Sequence, residues 1–274
     1  MPNGYEIREP ILRVQNVSLK LGGNQILRDL SFEVKDIHHD YRTTGQIVGL
    51  LGPSGIGKTQ LFRILAGLGQ PDSGEVIVGH PGVKVQRGMV GVVAQHYPLF
   101  EHRTVWSNLT VAGARSGKTA AECDKRAREL LERFKLYDRR EFYPAQLSGG
   151  QRQRVAIAQQ IMCSEQFLLM DEPFSGLDVV ALDAVQELIS EVTHANTLNT
   201  TIVVSHDIAA VCEIADTVIL LGREADGSGK QIPGARVMAT YDLGEMGLAW
   251  RKGLTSDPLF LDLLEQIRAR FPLL

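Results

Sequence analysis

The sequence predicts an α/β fold with a mostly parallel sheet, an N-terminal antiparallel β-subdomain and a mostly helical insert. Apolar runs at residues 46–51, 167–170 and 201–204 are typical of buried parallel strands. Residues 11–34 instead alternate apolar and polar positions around the turn Gly22-Gly23-Asn24, which predicts an antiparallel hairpin or small sheet. Residues of about 98–150 look mostly helical. We therefore expect one domain over residues 1–274, with that insert and a C-terminal extension from about residue 222.

Composition excludes several classes of protein. The chain has 274 residues, 44% of them hydrophobic and 22% charged, which is enough for a proper core. The net charge of −3 does not indicate the excess of basic residues that is typical of nucleic-acid-binding proteins, so no nucleic-acid partner is expected. No apolar run reaches the roughly 18 residues of a membrane span, and Met1-Pro2-Asn3-Gly4 has no signal-peptide pattern. The three cysteines (Cys123, Cys163, Cys212) are widely spaced and indicate reduced, mostly buried thiols of a cytosolic protein.

A phosphate-binding loop is predicted at residues 52–59. The segment Gly52-Pro53-Ser54-Gly55-Ile56-Gly57-Lys58-Thr59 fits the spacing G-x-x-x-x-G-K-[ST]. A strand-like run precedes it, and apolar residues at helical spacing follow, so the motif has the strand and helix that it requires. Lys58 would reach the β- and γ-phosphates and the Thr59 hydroxyl would bind Mg²⁺, which makes this a P-loop NTPase core. The alternative is an ordinary glycine turn.

Two polar stretches flank this core. Residues 35–45 include adjacent His38 and His39, which point apart on any regular element, so a solvated loop is favoured over a metal site. Residues 96–118 look irregular, with one helical turn after Thr104. Thr119 and Glu122 then form a capping box that begins a helix.

A second Ser-Gly-Lys-Thr sequence ends at Thr119. Counting from Gly113, it has one residue too few between the glycines, and no β-run precedes it. We therefore do not predict a second nucleotide loop there.

Candidate catalytic residues follow the predicted strands. Asp171 and Glu172 end the run Phe167–Met170, where ligands bind in open α/β sheets. Asp171 would hold Mg²⁺ and Glu172 would polarise the attacking water, although Pro173 leaves a helix N-cap as the alternative. His206 could contact the γ-phosphate or orient the water, or be a solvent-facing loop histidine. Gln95 could be a neutral ligand to metal or water.

The rest of the chain predicts further elements of the same fold. Asp178 would cap a helix, and a second helix would run from Ile208 to about residue 215. Strands are expected at residues 217–221 and, more weakly, at 236–243. Asp257-Pro258 begins an amphipathic helix that packs on its own domain or docks on a partner, the first being favoured.

Five elements in order make the chain resemble the ATP-binding-cassette ATPases. They are the loop Gly52–Thr59, Gln95, the signature Leu147-Ser148-Gly149-Gly150-Gln151, the strand Phe167–Glu172 with Ser175-Gly176-Leu177-Asp178 after it, and His206. The resemblance covers about residues 11–221 and implies that two ATP molecules bind between two head-to-tail subunits. Each ATP would lie between the loop of one subunit, with Gln60 beside it, and Ser148, Gly149, Gly150 and Gln151 of the other. It also implies that Lys58, Glu172 and His206 act in hydrolysis, and that Thr59, Gln95 and Asp171 hold Mg²⁺.

The chain departs from this family at three places. Leu21 stands where the family usually stacks an aromatic residue on adenine, so it could pack apolar surface on the base but could not stack a ring on it. Residues 36–44 look like an insertion, and Tyr41 within it is a weak candidate to replace the ring. Gln159 stands where the family often has arginine, with no clear consequence.

By the same resemblance, the leading hypothesis is an ATPase subunit of an importer. Its transmembrane permease would be a separate chain, contacted near residues 97–108, and an extracytoplasmic solute-binding protein would be a further partner. The protein would lie in the cytoplasm on the inner face of the cell membrane. Residues 256–261 look weakly like the ending of nitrate, sulfonate and taurine importer ATPases. The alternatives are a soluble cassette ATPase of assembly or repair and, less favoured, a binding protein without catalysis.

Overall fold

The computed structural model describes residues 5–39, 45–79, 81–164, 167–193, 200–249, 251, 253–271 and 274. Its strands are β1 (Tyr5–Leu21), β2 (Asn24–His39), β3 (Gln46–Leu51), β4 (Ser73–Val78), β5 (Val83–Lys84), β6 (Gly91–Val93), β7 (Phe167–Asp171), β8 (Thr200–Ser205), β9 (Thr217–Gly222) and β10 (Arg236–Asp242). Its helices are α1 (Lys58–Leu65), α2 (Val105–Arg115), α3 (Ala120–Arg133), α4 (Gly149–Cys163), α5 (Val179–Thr193), α6 (Ile208–Cys212) and α7 (Pro258–Arg270). No helix within these residues is long and apolar enough to cross a bilayer.

The central sheet is mostly parallel, as predicted. Its order within the described residues is β10-β9-β3-β8-β7-β6, and only β10 runs antiparallel to its neighbour. All six residues of β3 and of β8 are buried, and apart from Gln46 they are apolar or small, as expected for central parallel strands. Parallel pairing brings the carboxyl ends of β3, β7 and β8 to one edge, so the segments that follow these strands are neighbours.

The N-terminal hairpin is longer than the sequence predicted. Strands β1 and β2 join at Gly22 and Gly23, both with positive φ, and pair with β4 and β5 in a second, antiparallel sheet. The prediction of a loop over residues 35–45 is wrong for its first part, because β2 continues to His39, which pairs with Tyr5. At the open end of the hairpin the strands are joined by backbone hydrogen bonds, so the sequence there shows no alternation of apolar and polar residues. Tyr41 lies outside the described residues.

The helical insert contains a helix that the sequence analysis missed. Residues 105–115, for which only one helical turn after Thr104 was predicted, form the whole of α2, whose first turn is capped by the side chain of Thr104. Asn108 interrupts its apolar face, but this buried amide donates to the carbonyls of Phe100 and Arg103 in the preceding loop. Its Oδ1 accepts from Gln159 Nε2 of α4 at 3.1 Å, so this polar residue within the helix is satisfied by local and tertiary contacts together.

The capping box of α3 is present as predicted. The backbone N–H of Thr119 donates to the side chain of Glu122, and that of Glu122 donates to the Thr119 hydroxyl.

Gly113 lies within α2, where an added Cβ would come within 2.6 Å of Met162 Cε and 2.8 Å of Cys123 Sγ. Gly113, the first glycine of the segment that resembles a second phosphate loop, thus serves helix packing.

Two apolar clusters lie on opposite faces of the central sheet. In β3, Ile47 and Leu51 face the cluster beneath the helices, whereas Val48 and Leu50 face the cluster beneath the antiparallel sheet. The apolar face of α7 joins the first cluster, so the prediction that this helix packs on its own domain is confirmed. Its buried residues are Phe260, Leu263, Leu264 and Ile267.

Candidate functional site

The phosphate loop connects the end of β3 to the start of α1, as predicted. Gly57 has φ +115°, a conformation that side chains oppose, and an added Cβ there would lie 3.1 Å from Ile26. An added Cβ at Gly52 would lie 2.8 Å from the carbonyl oxygen of Leu221 on β9. Glycine is therefore required at Gly57 by the backbone conformation and at Gly52 by the close packing.

The first turn of α1 lacks a side-chain cap. Its N-cap residue is Gly57, and no carboxylate lies in the turn that begins with Lys58. Helices α2, α3 and α4, in contrast, are capped by Thr104, Thr119 and Ser148. Uncapped N–H groups and the positive end of a helix together attract an anion, so this turn is suited to phosphate.

Lys58 crosses the loop and faces two carboxylates. Its Nζ donates to the carbonyl oxygens of Gly52 at 2.7 Å and Pro53 at 3.1 Å, and lies 3.9 Å from Glu172 Oε1. Burial lowers the pKa of Lys58, while the charges of Glu172 and Asp171 raise it. The lysine is thus held at the mouth of the loop as a neighbour of the acidic pair.

Glu172 joins the ends of two adjacent strands. Its backbone N–H donates to the carbonyl oxygen of Val204 at 2.8 Å. Its side-chain Oε2 accepts from Ser205 Oγ at 3.0 Å and lies 2.9 Å from His206 Nδ1. Glu172 has φ +48°, an uncommon conformation that costs energy in residues other than glycine and is found at functional sites. The side chain is only 17% exposed. The structure therefore fixes this carboxylate between Lys58 and His206.

Ser205 is a site residue that the sequence analysis missed. It was noted only as part of the segment after β8, yet its hydroxyl donates to Glu172 and accepts from the N–H of Asp207 at 3.1 Å. Its position next to His206, at the end of a buried strand, was the available signal.

Asp171 supplies a half-buried carboxylate beside Glu172. Burial raises the pKa of Asp171, as does the charge of Glu172, while Lys58 lowers it. No helix begins here within the described residues, and it is Asp178 that caps α5 by accepting from Ala181 N–H at 2.8 Å. The N-cap alternative for the acidic pair is therefore wrong. A cation would relieve the repulsion between the two carboxylates, and the oxygens of Asp171 and exposed Thr59 are of the kind that Mg²⁺ prefers.

The segment after β6 reaches the same edge of the sheet. Gln95 is exposed, and its Nε2 lies 3.4 Å from Ser175 Oγ in the turn after Glu172. Tyr97, which sequence analysis did not assign to the site, donates its hydroxyl to the carbonyl of Pro173 at 3.1 Å. Burial raises the pKa of Tyr97 to about 12, so this hydroxyl remains a donor. Gln95 and Tyr97 thus connect the segment between β6 and the helical insert to the turn that follows β7.

The signature Leu147–Gln151 begins α4. The side chains of Ser148 and Gln151 bond to each other's backbone N–H in a capping box. Gly149 and Gly150 are exposed, with no atom within 4 Å of an added Cβ. Among the described residues, the hydrogen bonds of these side chains do not involve the phosphate loop. The structure therefore brings Lys58, Asp171, Glu172 and His206 together, and leaves the signature on the surface of the insert.

The comparison with known families decides what this fold is. A family profile described as ABC transporter matches residues 34–175.

The chain belongs to this family.

Curated relatives from bacteria match most of the chain. It is 39% identical over 221 residues to "Sulfate/thiosulfate import ATP-binding protein CysA 2" of Rhizobium meliloti, covering 78% of this chain and 58% of the relative. It is 38% identical over 221 residues to "Sulfate/thiosulfate import ATP-binding protein CysA" of Escherichia coli, covering 77% and 58%. The chain thus spans less than two thirds of the length of these relatives.

Solved structures share the fold. The chain matches cbiO1 from Clostridium perfringens, described as part of the ABC transporter complex cbiONQ, with a TM-score of 0.72 and 23% identity, over 96% of this chain and 100% of that one. It matches the ATP-binding cassette MJ0796, described as dimeric and bound to ADP and Pi, with a TM-score of 0.65 and 25% identity, over 85% and 98%. The predicted family and fold class are confirmed. The domain boundaries and the roles of individual residues stay predictions.

Proposed function

We propose that this chain is the ATP-binding and ATP-hydrolysing subunit of an ABC transporter, and that it dimerises on ATP to drive solute import through a separate membrane permease. The observation that carries the proposal is the contact of Glu172 with both Lys58 and His206 at the mouth of the phosphate loop. A phosphate chain in this loop would place its last phosphate beside a fixed carboxylate.

The chain's own residues perform the binding and the proton transfer. Backbone N–H groups of the loop and of the uncapped α1, from Gly52 to Gln60, bind the phosphates, and Lys58 moves from carbonyl oxygens to phosphate oxygens. Glu172 accepts a proton from the attacking water as general base. Ser205 and His206 hold its Oε2, which leaves Oε1 directed toward Lys58.

Thr59, Asp171 and Gln95 are the residues that would hold Mg²⁺. The ion, when bound, neutralises charge that develops on the transferred phosphate. The half-buried Asp171 beside Glu172 supports this assignment, because two adjacent carboxylates favour a cation between them and the phosphates.

The second half of each site comes from another copy of the chain. The exposed Gly149 and Gly150 offer N–H groups at the start of the fifteen-residue helix α4, where the helix dipole adds positive charge. These groups lie on the insert and are bonded to no residue of their own phosphate loop in the described part of the chain. A head-to-tail partner places them against the γ-phosphate, and hydrolysis releases that partner.

The import role is supported by the names of the relatives. Those at 35–39% identity are called sulfate/thiosulfate import ATP-binding proteins. The protein would then work on the inner face of the cell membrane, with a permease and an extracytoplasmic solute-binding protein as partners. The likeness of residues 256–261 to nitrate, sulfonate and taurine importers stays a prediction.

Substitution Glu172→Gln tests the catalytic role. It keeps the volume and removes the proton acceptor, so ATP hydrolysis should be abolished while ATP-dependent dimers persist in size-exclusion chromatography. Glu187→Gln, on an exposed face of α5, is the matched control and should hydrolyse ATP normally. A Glu172→Gln variant that stays monomeric with ATP would refute the role of Glu172.

Co-purification tests the transport role. The full chain, isolated from detergent-solubilised membranes of its host, should bring down a multi-span membrane protein. A chain that hydrolyses ATP as a dimer but recovers no such protein would favour the soluble assembly or repair alternative.

A further inference from the structure

A tyrosine hydroxyl contacts the backbone directly after Glu172. Tyr97 is half-buried in the segment between β6 and α2, and its hydroxyl donates to the carbonyl oxygen of Pro173 at 3.1 Å. On the other side of the same residue, the backbone N–H of Glu172 donates to Val204. The backbone that carries Glu172 is therefore held by a strand before this residue and by a side chain after it.

The backbone is unusual at both ends of this contact. Tyr97 has φ +45° and Glu172 has φ +48°, and they are two of the five residues other than glycine with positive φ in the part of the chain that the structure describes. A bulky residue rarely adopts this conformation, and a residue that precedes proline is normally extended. Such conformations persist only where surrounding contacts hold them, and the hydroxyl of Tyr97 provides one such contact.

The signature helix α4 reaches the same hydroxyl. Gln153 lies on α4 two residues after the signature and is 3% exposed. Its Nε2 is buried without a hydrogen-bond partner among the described residues. Burial raises the pKa of Tyr97 to about 12, and the neighbouring amide of Gln153 acts against this rise. A hydroxyl both donates and accepts, so that of Tyr97 can donate to Pro173 and accept from Gln153.

We propose that Tyr97 is a positioning residue for the general base: its hydroxyl fixes the backbone after Glu172, and Gln153 of α4 orients that hydroxyl. The inference rests on the proposed function, in which Glu172 accepts a proton from the attacking water. Ser205 and His206 hold the carboxylate itself, whereas Tyr97 holds the backbone from which the carboxylate extends. A displaced base slows proton transfer even when the nucleotide stays bound, because the transfer needs hydrogen-bond contact with the water.

Steady-state ATP hydrolysis by Tyr97→Phe separates positioning from binding. The substitution keeps the ring and removes the hydroxyl, so kcat should fall roughly three- to tenfold, as for the loss of one neutral hydrogen bond. KM for ATP should stay within about twofold of that of the natural chain, because no group that binds the nucleotide is changed. Tyr137→Phe is the matched control, since it removes a hydroxyl that accepts from Arg128 at 2.8 Å at the surface of the insert. Its kcat should equal that of the natural chain.

Substitution Gln153→Met tests the second contact. Methionine is about as long as glutamine and cannot donate a hydrogen bond, so kcat should fall roughly two- to threefold. In the double variant, Gln153→Met should add nothing to the loss in Tyr97→Phe, because both changes act through one hydroxyl. An unchanged kcat in Gln153→Met, or losses that multiply in the double variant, would overturn the role of Gln153.

The outcomes distinguish this inference from the proposed function. A natural chain that binds ATP without hydrolysing it would overturn the proposed function, and the role of Tyr97 with it. Hydrolysis by the natural chain with an equal kcat in Tyr97→Phe would overturn only the role of Tyr97. A lower melting temperature without a loss of kcat, or a change confined to KM, would also overturn it, because Tyr97 would then act in packing or in binding.

Discussion

We predict that Asp216 makes the stability of this protein depend on pH, and that one substitution removes this dependence. The side chain is 2% exposed, and its Oδ2 accepts a hydrogen bond of 2.6 Å from the N–H of Ile47, at the start of the strand that leads to the phosphate loop. Burial raises the pKa of Asp216 from 3.8 to about 7; the bond from Ile47 opposes this rise, and the charge of Asp242 adds to it. The substitution Asp216→Asn keeps an acceptor for Ile47 and carries no charge at any pH.

The size of the effect follows from the pKa. A carboxyl whose pKa is raised in the folded state stabilises the fold fully below its unfolded pKa, and this stabilisation is lost as the pH rises through the folded pKa. The window for Asp216 is therefore about pH 4 to 7. A rise of about three pKa units corresponds to about 4 kcal/mol, which is an upper estimate because local relaxation reduces the cost of a buried charge. At pH 8 Asp216→Asn should be more stable than the natural chain, by a melting temperature difference on the order of 10 °C at roughly 2–4 °C per kcal/mol.

Thermal melts of both chains between pH 4 and 8 test this expectation. The natural chain should lose stability relative to Asp216→Asn as the pH rises from 4 to 7, and the two should be nearly equal near pH 4. Asp183→Asn, an exposed carboxylate on α5, is the matched control and should run parallel to the natural chain. Parallel curves for Asp216→Asn as well would show that this carboxyl does not ionise in the window, and the reasoning would be wrong.

Two further predictions concern the site. Lys58→Ala should weaken ATP binding at least about tenfold, because charge-assisted hydrogen bonds contribute about 1.5–3 kcal/mol; an unchanged affinity in calorimetry would contradict the assignment of the phosphate loop. Ser205→Ala removes the donor to Glu172 Oε2, so kcat should fall roughly tenfold while KM for ATP stays the same. A change confined to KM would show that Ser205 acts in binding and does not position Glu172.

Local features were predictable because neighbouring residues determine them. The turn at Gly22 and Gly23, the capping box of Thr119 and Glu122, and the strand–loop–helix around Gly52–Thr59 each depend on a few consecutive residues. Short-range backbone conformation and hydrogen bonding suffice for such features. The missed helix α2 contains a polar residue that is satisfied from a distance, because Asn108 Oδ1 accepts from Gln159 of α4.

By itself, the sequence determined most of the strands and helices, the phosphate-loop motif between β3 and α1, and the candidate residues at the strand ends. Only the tertiary structure decided that Glu172 takes a positive φ, that Ser205 and His206 hold one of its oxygens and that Lys58 faces the other. These contacts join β3, β7 and β8, which are far apart in the chain and become neighbours only through sheet pairing. The side-chain directions at such a junction depend on packing against all three strands, so no local pattern specifies them.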